Sequence, residues 1–112
     1  MNIVITNTFK KEFISIFKSE SLMTGFCEKI KYSKNIRLDF PLDKIKFKYV
    51  WIDIRWIIFI WIKDKILPIF IIKKSNKKYW NNLVLNKEIK DISKIKLKNC
   101  LLDFENNDYK LY

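Results

Sequence analysis

The sequence predicts an α+β fold, and three observations carry that expectation. Apolar residues recur at helical spacing from Phe9 to Ile30, alternate at strand spacing from Lys44 to Ile62, and return to helical spacing from Leu85. The predicted order is an N-terminal strand, a helical hairpin, an antiparallel three-stranded meander joining a four-stranded sheet, and a C-terminal helix. With 112 residues, of which 49% are hydrophobic and 31% charged, the chain reads as a single domain over 1–112.

Asn2 to Thr6 carries Ile3, Val4 and Ile5 and reads as a short strand that stops at Asn7 and Thr8, either of which can cap a helix. From Phe9 to Lys18 the residues Phe9, Phe13, Ile16 and Phe17 form one apolar stripe, with Lys10, Lys11 and Lys18 mostly outside it. Ser19, Glu20 and Ser21 interrupt, and Leu22, Met23, Phe26, Cys27 and Ile30 then resume the helical period. Gly25, the only glycine, slightly weakens this second helix. Asn35 to Asp43 contains Pro41 and no sustained period, so it is expected to be a connector.

The meander follows. In KIKFKYV the residues Lys44, Lys46 and Lys48 alternate with Ile45, Phe47 and Tyr49. Trp51 to Ile62 puts Ile52, Ile54, Trp56, Ile58, Ile60 and Ile62 on one face, and Asp53, Arg55, Ile57, Phe59 and Trp61 on the other. After a turn at Lys63 to Lys65, Ile66 to Lys74 supplies the third strand. The closing helix is marked by Leu85, Ile89, Ile92 and an end near Ile95 or Lys96, with Asn86 placed to cap it. In the tail, Leu101, Leu102 and Phe104 suggest a short strand, with Glu105 to Asp108 as a turn.

Composition removes whole classes of chemistry. There is no histidine, hence no Ser/His/Asp or Cys/His nucleophile pair, no HExxH zinc site and no imidazole acid or base. Cys27 and Cys100 stand far apart without a CxxC pattern and are expected to be buried thiols in a reducing compartment; no metal and no cofactor are predicted. The most apolar stretch, Val50 to Ile72, is broken by Asp53, Arg55 and Lys63 to Lys65, which is too interrupted for a membrane span. The start MNIVITNTFKKEF lacks the features of a secretory signal, so a cytoplasmic location is expected.

Lys and Arg outnumber Asp and Glu by 23 to 12, a formal charge of +11 that favours polyanionic partners. Counts of 21 Lys, 20 Ile and 10 Asn against two Arg are the pattern of A/T-rich coding, so placement carries the argument rather than total charge. Ten basic and two acidic residues fall between Lys44 and Lys78, which puts +8 of the +11 into 35 positions. If the first meander strand turns back near Val50 and Trp51, Lys46 is expected opposite Arg55 and Lys48 opposite Asp53. That register leaves Ile45, Phe47, Ile54 and Trp56 to pack on the helices. Immediately beyond lie Lys73, Lys74, Lys77, Lys78, Tyr79 and Trp80. A cationic sheet face with rings at its end suits single-stranded RNA, because cations hold phosphates and rings stack on bases.

These blocks resemble the RelE/ParE superfamily of small bacterial toxins, and within it the RelE-like ribosome-dependent mRNA endonucleases. ITNTFKKEF, DKIKFK, IRWIIF and KKSNKKYWNNL look like that family's successive blocks, and the likeness covers nearly the whole chain. The resemblance implies a toxin that cuts mRNA on the ribosome without metal, by attack of a ribose 2′-hydroxyl on the adjacent phosphate. It also implies a cognate antitoxin and a toxin–antitoxin hetero-oligomer. The family's lysine pair matches Lys44 and Lys46 by local string, or Lys46 and Lys48 by spacing to the strand arginine, which falls on Arg55. A second basic residue comes from Lys73, Lys74 or Lys77, Tyr79 stacks on a base or takes part in proton transfer, and Lys78 and Trp80 complete the RNA-binding set. Where the family often has arginine after the last strand, this chain has only lysine, which weakens phosphate clamping.

Each of these residues also has a structural reading. Lys44 and Lys48 suit a solvated strand face, and Lys48 suits an ion pair with Asp53. Arg55 suits the same aspartate, Tyr79 and Trp80 suit the core, and Lys73 to Lys78 suit a soluble loop. Ile57, Phe59, Trp61, Phe70 and Ile72 lie on Arg55's side and predict a surface that expects cover, by an antitoxin helix or added strand. Two other functions share the pattern: a ParE-like gyrase inhibitor and a non-catalytic RNA-binding module.

Overall fold

The computed structural model describes residues 2–33, 35–39, 42–46, 54–73 and 87–112. Among these residues the chain is a mixed α+β structure with three helices and two antiparallel sheets.

Strand β1 (Val4–Thr6) is fully buried and runs directly into helix α1 (Asn7–Phe17). The cap is Thr6 rather than the expected Asn7 or Thr8: its Oγ1 accepts from the Phe9 N–H at 3.2 Å and donates to Cys100 Sγ at 3.3 Å. Thr8 instead donates its N–H and hydroxyl to Asp103 Oδ2, at 2.7 and 2.6 Å, and so ties the start of α1 to the C-terminal helix. Lys18 closes α1 in the left-handed region at φ 62°. A single 3-10 turn over Glu20–Leu22, opened by the Ser19 hydroxyl, leads into α2 (Met23–Lys31). The stripes of the two helices meet in an aromatic cluster. Phe13 stacks on Phe17 at 4.2 Å between ring centres and meets Phe26 edge-on at 5.0 Å.

The four-stranded sheet is an antiparallel meander in the order β2 (Asn35–Asp39), β3 (Leu42–Lys46), β4 (Ile54–Ile62), β5 (Lys65–Lys73). Asn35–Asp39 is therefore a strand and not a connector, and the strand after it begins at Leu42. Ile36 and Leu38 alternate with Asn35, Arg37 and Asp39 at the strand period, a signal that the nearby Pro41 obscures. Strand β1 lies outside this sheet. It pairs with β6 (Tyr109–Leu111), and Ile3 and Tyr112 exchange two backbone hydrogen bonds at 2.9 Å. A parallel bridge from Ile3, just before β1, to Ile66 reaches the edge of β5, with the Ile66 N–H donating to the Asn2 carbonyl at 3.1 Å.

Helix α3 (Lys87–Glu105) runs ten residues past the expected end near Ile95. Leu97, Cys100, Leu101 and Phe104 continue its inward stripe, so Leu101, Leu102 and Phe104 are helical, and the terminal strand comes after the turn instead. Strand β4 is buried on both faces: Ile54, Trp56, Ile57, Ile58, Phe59 and Ile60 are all inside.

Candidate nucleic-acid interface

Strand register decides which candidate residues meet. Strands β3 and β4 pair with Lys44 level with Ile58, Ile45 with Ile57, and Lys46 with Trp56. The expected Lys46–Arg55 cross-strand pair is thus displaced by one residue. The physical reason is β4 itself. Both of its faces are apolar and buried, so alternation there sets no preference between neighbouring registers. On its other side, β4 pairs Ile54 with Lys73 and Trp56 with Ile72, which leaves Arg55 as the extra residue of a bulge.

The topology still collects cations at one end of the sheet. Strands β3 and β5 run the same way, and β4 begins where they finish. Lys46 ends β3, Arg55 is the second residue of β4, and the exposed Lys73 ends β5. With strands about 4.8 Å apart, these three backbone positions fall within about 10 Å of one another. Lys44 stands two residues further in. The remaining described cations of the charged window go elsewhere. Lys63 and Lys65 flank the hairpin tip at the opposite end, about 26 Å away along β4. There Lys65 Nζ donates to Asp64 Oδ1 at 3.3 Å, and that bond holds the Asp64 carboxyl below the usual carboxylate range.

Lys48, Lys74, Lys77, Lys78, Tyr79 and Trp80, together with the expected Lys48–Asp53 pair, lie outside the described residues. Among the described rings near Arg55, Trp56 is buried. Of the apolar residues expected to need cover, Ile57, Phe59, Phe70 and Ile72 are buried within the chain. Trp61, at 39% exposure, is the part of that set left open.

One residue that stabilises this end of the sheet was not singled out from the sequence. Glu12, on α1, accepts the Ile71 N–H through Oε1 at 2.9 Å and the Lys96 ammonium through Oε2 at 2.8 Å. It satisfies the edge of β5 two residues before Lys73 and links that edge to α3. Its signal in the sequence is a carboxylate set beside the apolar stripe of Phe9, Phe13 and Ile16.

Both cysteines are buried, and burial pushes the Cys27 thiol up to about 12 and the Cys100 thiol up to about 11, so neither is a nucleophile near neutral pH. Among the described residues no three His, Cys, Asp or Glu side chains gather into a metal-ligating group, and no helix is long and apolar enough to cross a membrane. No protein-family model, curated protein or solved structure matches the chain.

Proposed function

We propose that this chain is a RelE-like toxin: a cytoplasmic, ribosome-dependent endoribonuclease that binds mRNA on the ribosome and is held inactive by a cognate antitoxin. The observation that supports the reading best is the convergence of Lys46, Arg55 and Lys73 at one end of the sheet, next in sequence to the basic, aromatic run from Lys74 to Trp80. Cations in a row across adjacent strands suit a phosphate whose negative charge grows as its bonds rearrange.

In the proposed reaction a basic side chain, with Lys46 as the first candidate, removes the proton from a ribose 2′-hydroxyl. The 2′-oxygen bonds to the adjacent phosphorus, the bond from phosphorus to the 5′-oxygen breaks, and a 2′,3′-cyclic phosphate remains. Arg55 and Lys73 neutralise the phosphate oxygens in the transition state. The departing 5′-oxygen takes a proton from an acid, for which Tyr79 and the neighbouring lysines are the candidates. Lys44 and Lys48 act as supporting cations, and Lys74, Lys77, Lys78 and Trp80 hold the flanking nucleotides. No step calls on a metal or a cofactor.

The test is cleavage of a reporter mRNA in a reconstituted translation reaction. Arg55→Ala and Lys46→Ala should each slow cleavage by about 10²-fold or more, with unchanged far-UV circular dichroism. Wild-type cleavage by both variants would remove the site. Absence of cleavage together with inhibited supercoiling would move the chain to the gyrase inhibitors, and salt-dependent RNA binding without product would make it a binding module.

A further inference from the structure

Strand pairing holds the last residues of β5 less firmly than the rest. On the β4 side the pairs Ile54–Lys73 and Trp56–Ile72 skip Arg55, and such a bulge interrupts the ladder next to Lys73. On the outer side, strand pairing among the described residues is the bridge from Ile3 to Ile66, about 17 Å back along the strand from Ile71. An edge without a neighbouring strand carries N–H and C=O groups that need partners from elsewhere.

Glu12 supplies one such partner. Its Oε1 accepts the Ile71 N–H at 2.9 Å, and its Oε2 accepts the Lys96 ammonium at 2.8 Å. The Lys96 ammonium also lies 5.0 Å from the centre of the Phe70 ring, on the residue before Ile71. A carboxylate held at both oxygens, one by the strand and one by the helix, grips the edge at a fixed place. Side chains from Ile66 to Ile72 are buried, whereas Lys73 is exposed, so the bond at Ile71 lies between the packed strand and the cation.

We propose that Glu12 is a positioning residue of the candidate site: oriented by Lys96, it fixes the end of β5 and with it the place of Lys73 beside the Arg55 bulge. Glu12 touches no substrate and acts through Lys73. The inference rests on the nuclease reading, in which Lys73 neutralises a phosphate oxygen and a misplacement of about 1 Å costs up to about 10²-fold in rate.

The test is a double-mutant cycle on single-turnover cleavage of a reporter mRNA by the full chain on ribosomes, with rates taken per folded molecule from circular dichroism in the same buffer. Glu12→Ala should slow cleavage about tenfold in the wild-type chain and less than about twofold in Lys73→Ala, where the group it places is already gone. A merely structural loss would slow both backgrounds alike. Glu12→Gln keeps an oxygen for the Ile71 N–H and should cleave within about threefold of wild type. Lys96→Met keeps the stem over Phe70 and removes the ammonium; it should slow the wild-type chain about threefold and leave Lys73→Ala unchanged, and it decides the matter where Glu12→Ala does not fold. A loss carried in full into the Lys73→Ala background, no loss in either Glu12→Ala or Lys96→Met, or a glutamine variant as slow as the alanine one would overturn the inference and leave the nuclease reading standing. Wild-type cleavage by Lys73→Ala would also overturn it, because no placed cation is then at work. Absence of cleavage by the wild-type chain would remove the nuclease reading and the inference together.

Discussion

Removing the Glu12 carboxylate should cost the fold two partners at once. Its carboxylate is 14% exposed and holds two partners on two other elements: the Ile71 N–H on the open edge of β5 and Lys96 on α3. Lys96 is itself 28% exposed and lies 5.0 Å from the centre of the Phe70 ring. In Glu12→Ala the Ile71 N–H loses a charged acceptor in a partly buried place, worth about 2 kcal/mol. Lys96 loses a partly screened ion pair, worth about 1 kcal/mol. A total near 3 kcal/mol is a large part of the stability of a domain this small. Glu12→Gln keeps an oxygen for the Ile71 N–H and removes only the charge, so its cost should be about 1 kcal/mol. Urea unfolding followed by circular dichroism measures both. The exposed Lys10–Glu20 pair, at 2.9 Å, serves as the control, and Glu20→Ala should produce no measurable loss. An alanine variant losing less than about 1 kcal/mol, or a glutamine variant as unstable as the alanine one, would refute the assignment of Glu12 as the clamp between α1, β5 and α3.

Two further outcomes follow from local geometry. Lys63 occupies the first position of the two-residue loop between β4 and β5 at φ 55°, a conformation that suits glycine. Lys63→Gly should raise the unfolding free energy by about 0.5–1 kcal/mol in urea titrations, and a loss would show that the lysine makes an unseen contact. The two thiols predict an alkaline weakness. Their folded pKa values lie above the ordinary 9.0, so the unfolded chain releases these protons first and stability falls as pH rises through 9.0 toward 11 and 12. At about pH 10 each thiol should account for about 1.4 kcal/mol of that fall, and the Cys27→Ala/Cys100→Ala double variant should show a correspondingly shallower pH slope.

Helices α1 and α2, the first half of α3 and the β4–β5 hairpin were legible in the sequence because each offers one unbroken period. Phe9, Phe13 and Phe17 repeat at helical spacing and are buried, and Ile62 and Lys65 bracket the turn expected at Lys63 to Lys65. The failures have physical causes of their own. Asn35–Asp39 alternates over only five residues beside Pro41, a length at which strand and connector look alike. The later half of α3 is masked by Lys94, Lys96, Lys98 and Asn99, although Leu97, Cys100, Leu101 and Phe104 keep the stripe. Arg55 stood out because arginine is rare here, but its bulge is set by pairing with β5 and has no signature in the local string. Glu12 acts on a residue 59 positions away, a relation that no local period can encode.

The displaced register of β3 on β4 leaves the strand ends where the meander puts them. A cross-strand pair such as Lys46–Arg55 depends on an odd or even alignment, and a slip by one residue removes it. Convergence at a sheet end depends on something coarser: β3 and β5 must finish where β4 begins, which any antiparallel meander of these strands achieves. A slip of one residue moves a strand end by about 3.3 Å, less than the spacing between strands. Apolar burial on both faces of β4 leaves the register undetermined by alternation. Strand order, by contrast, brings the backbone positions of Lys46, Arg55 and Lys73 to one end of the sheet, a grouping at an end rather than the one sheet face that alternation predicts.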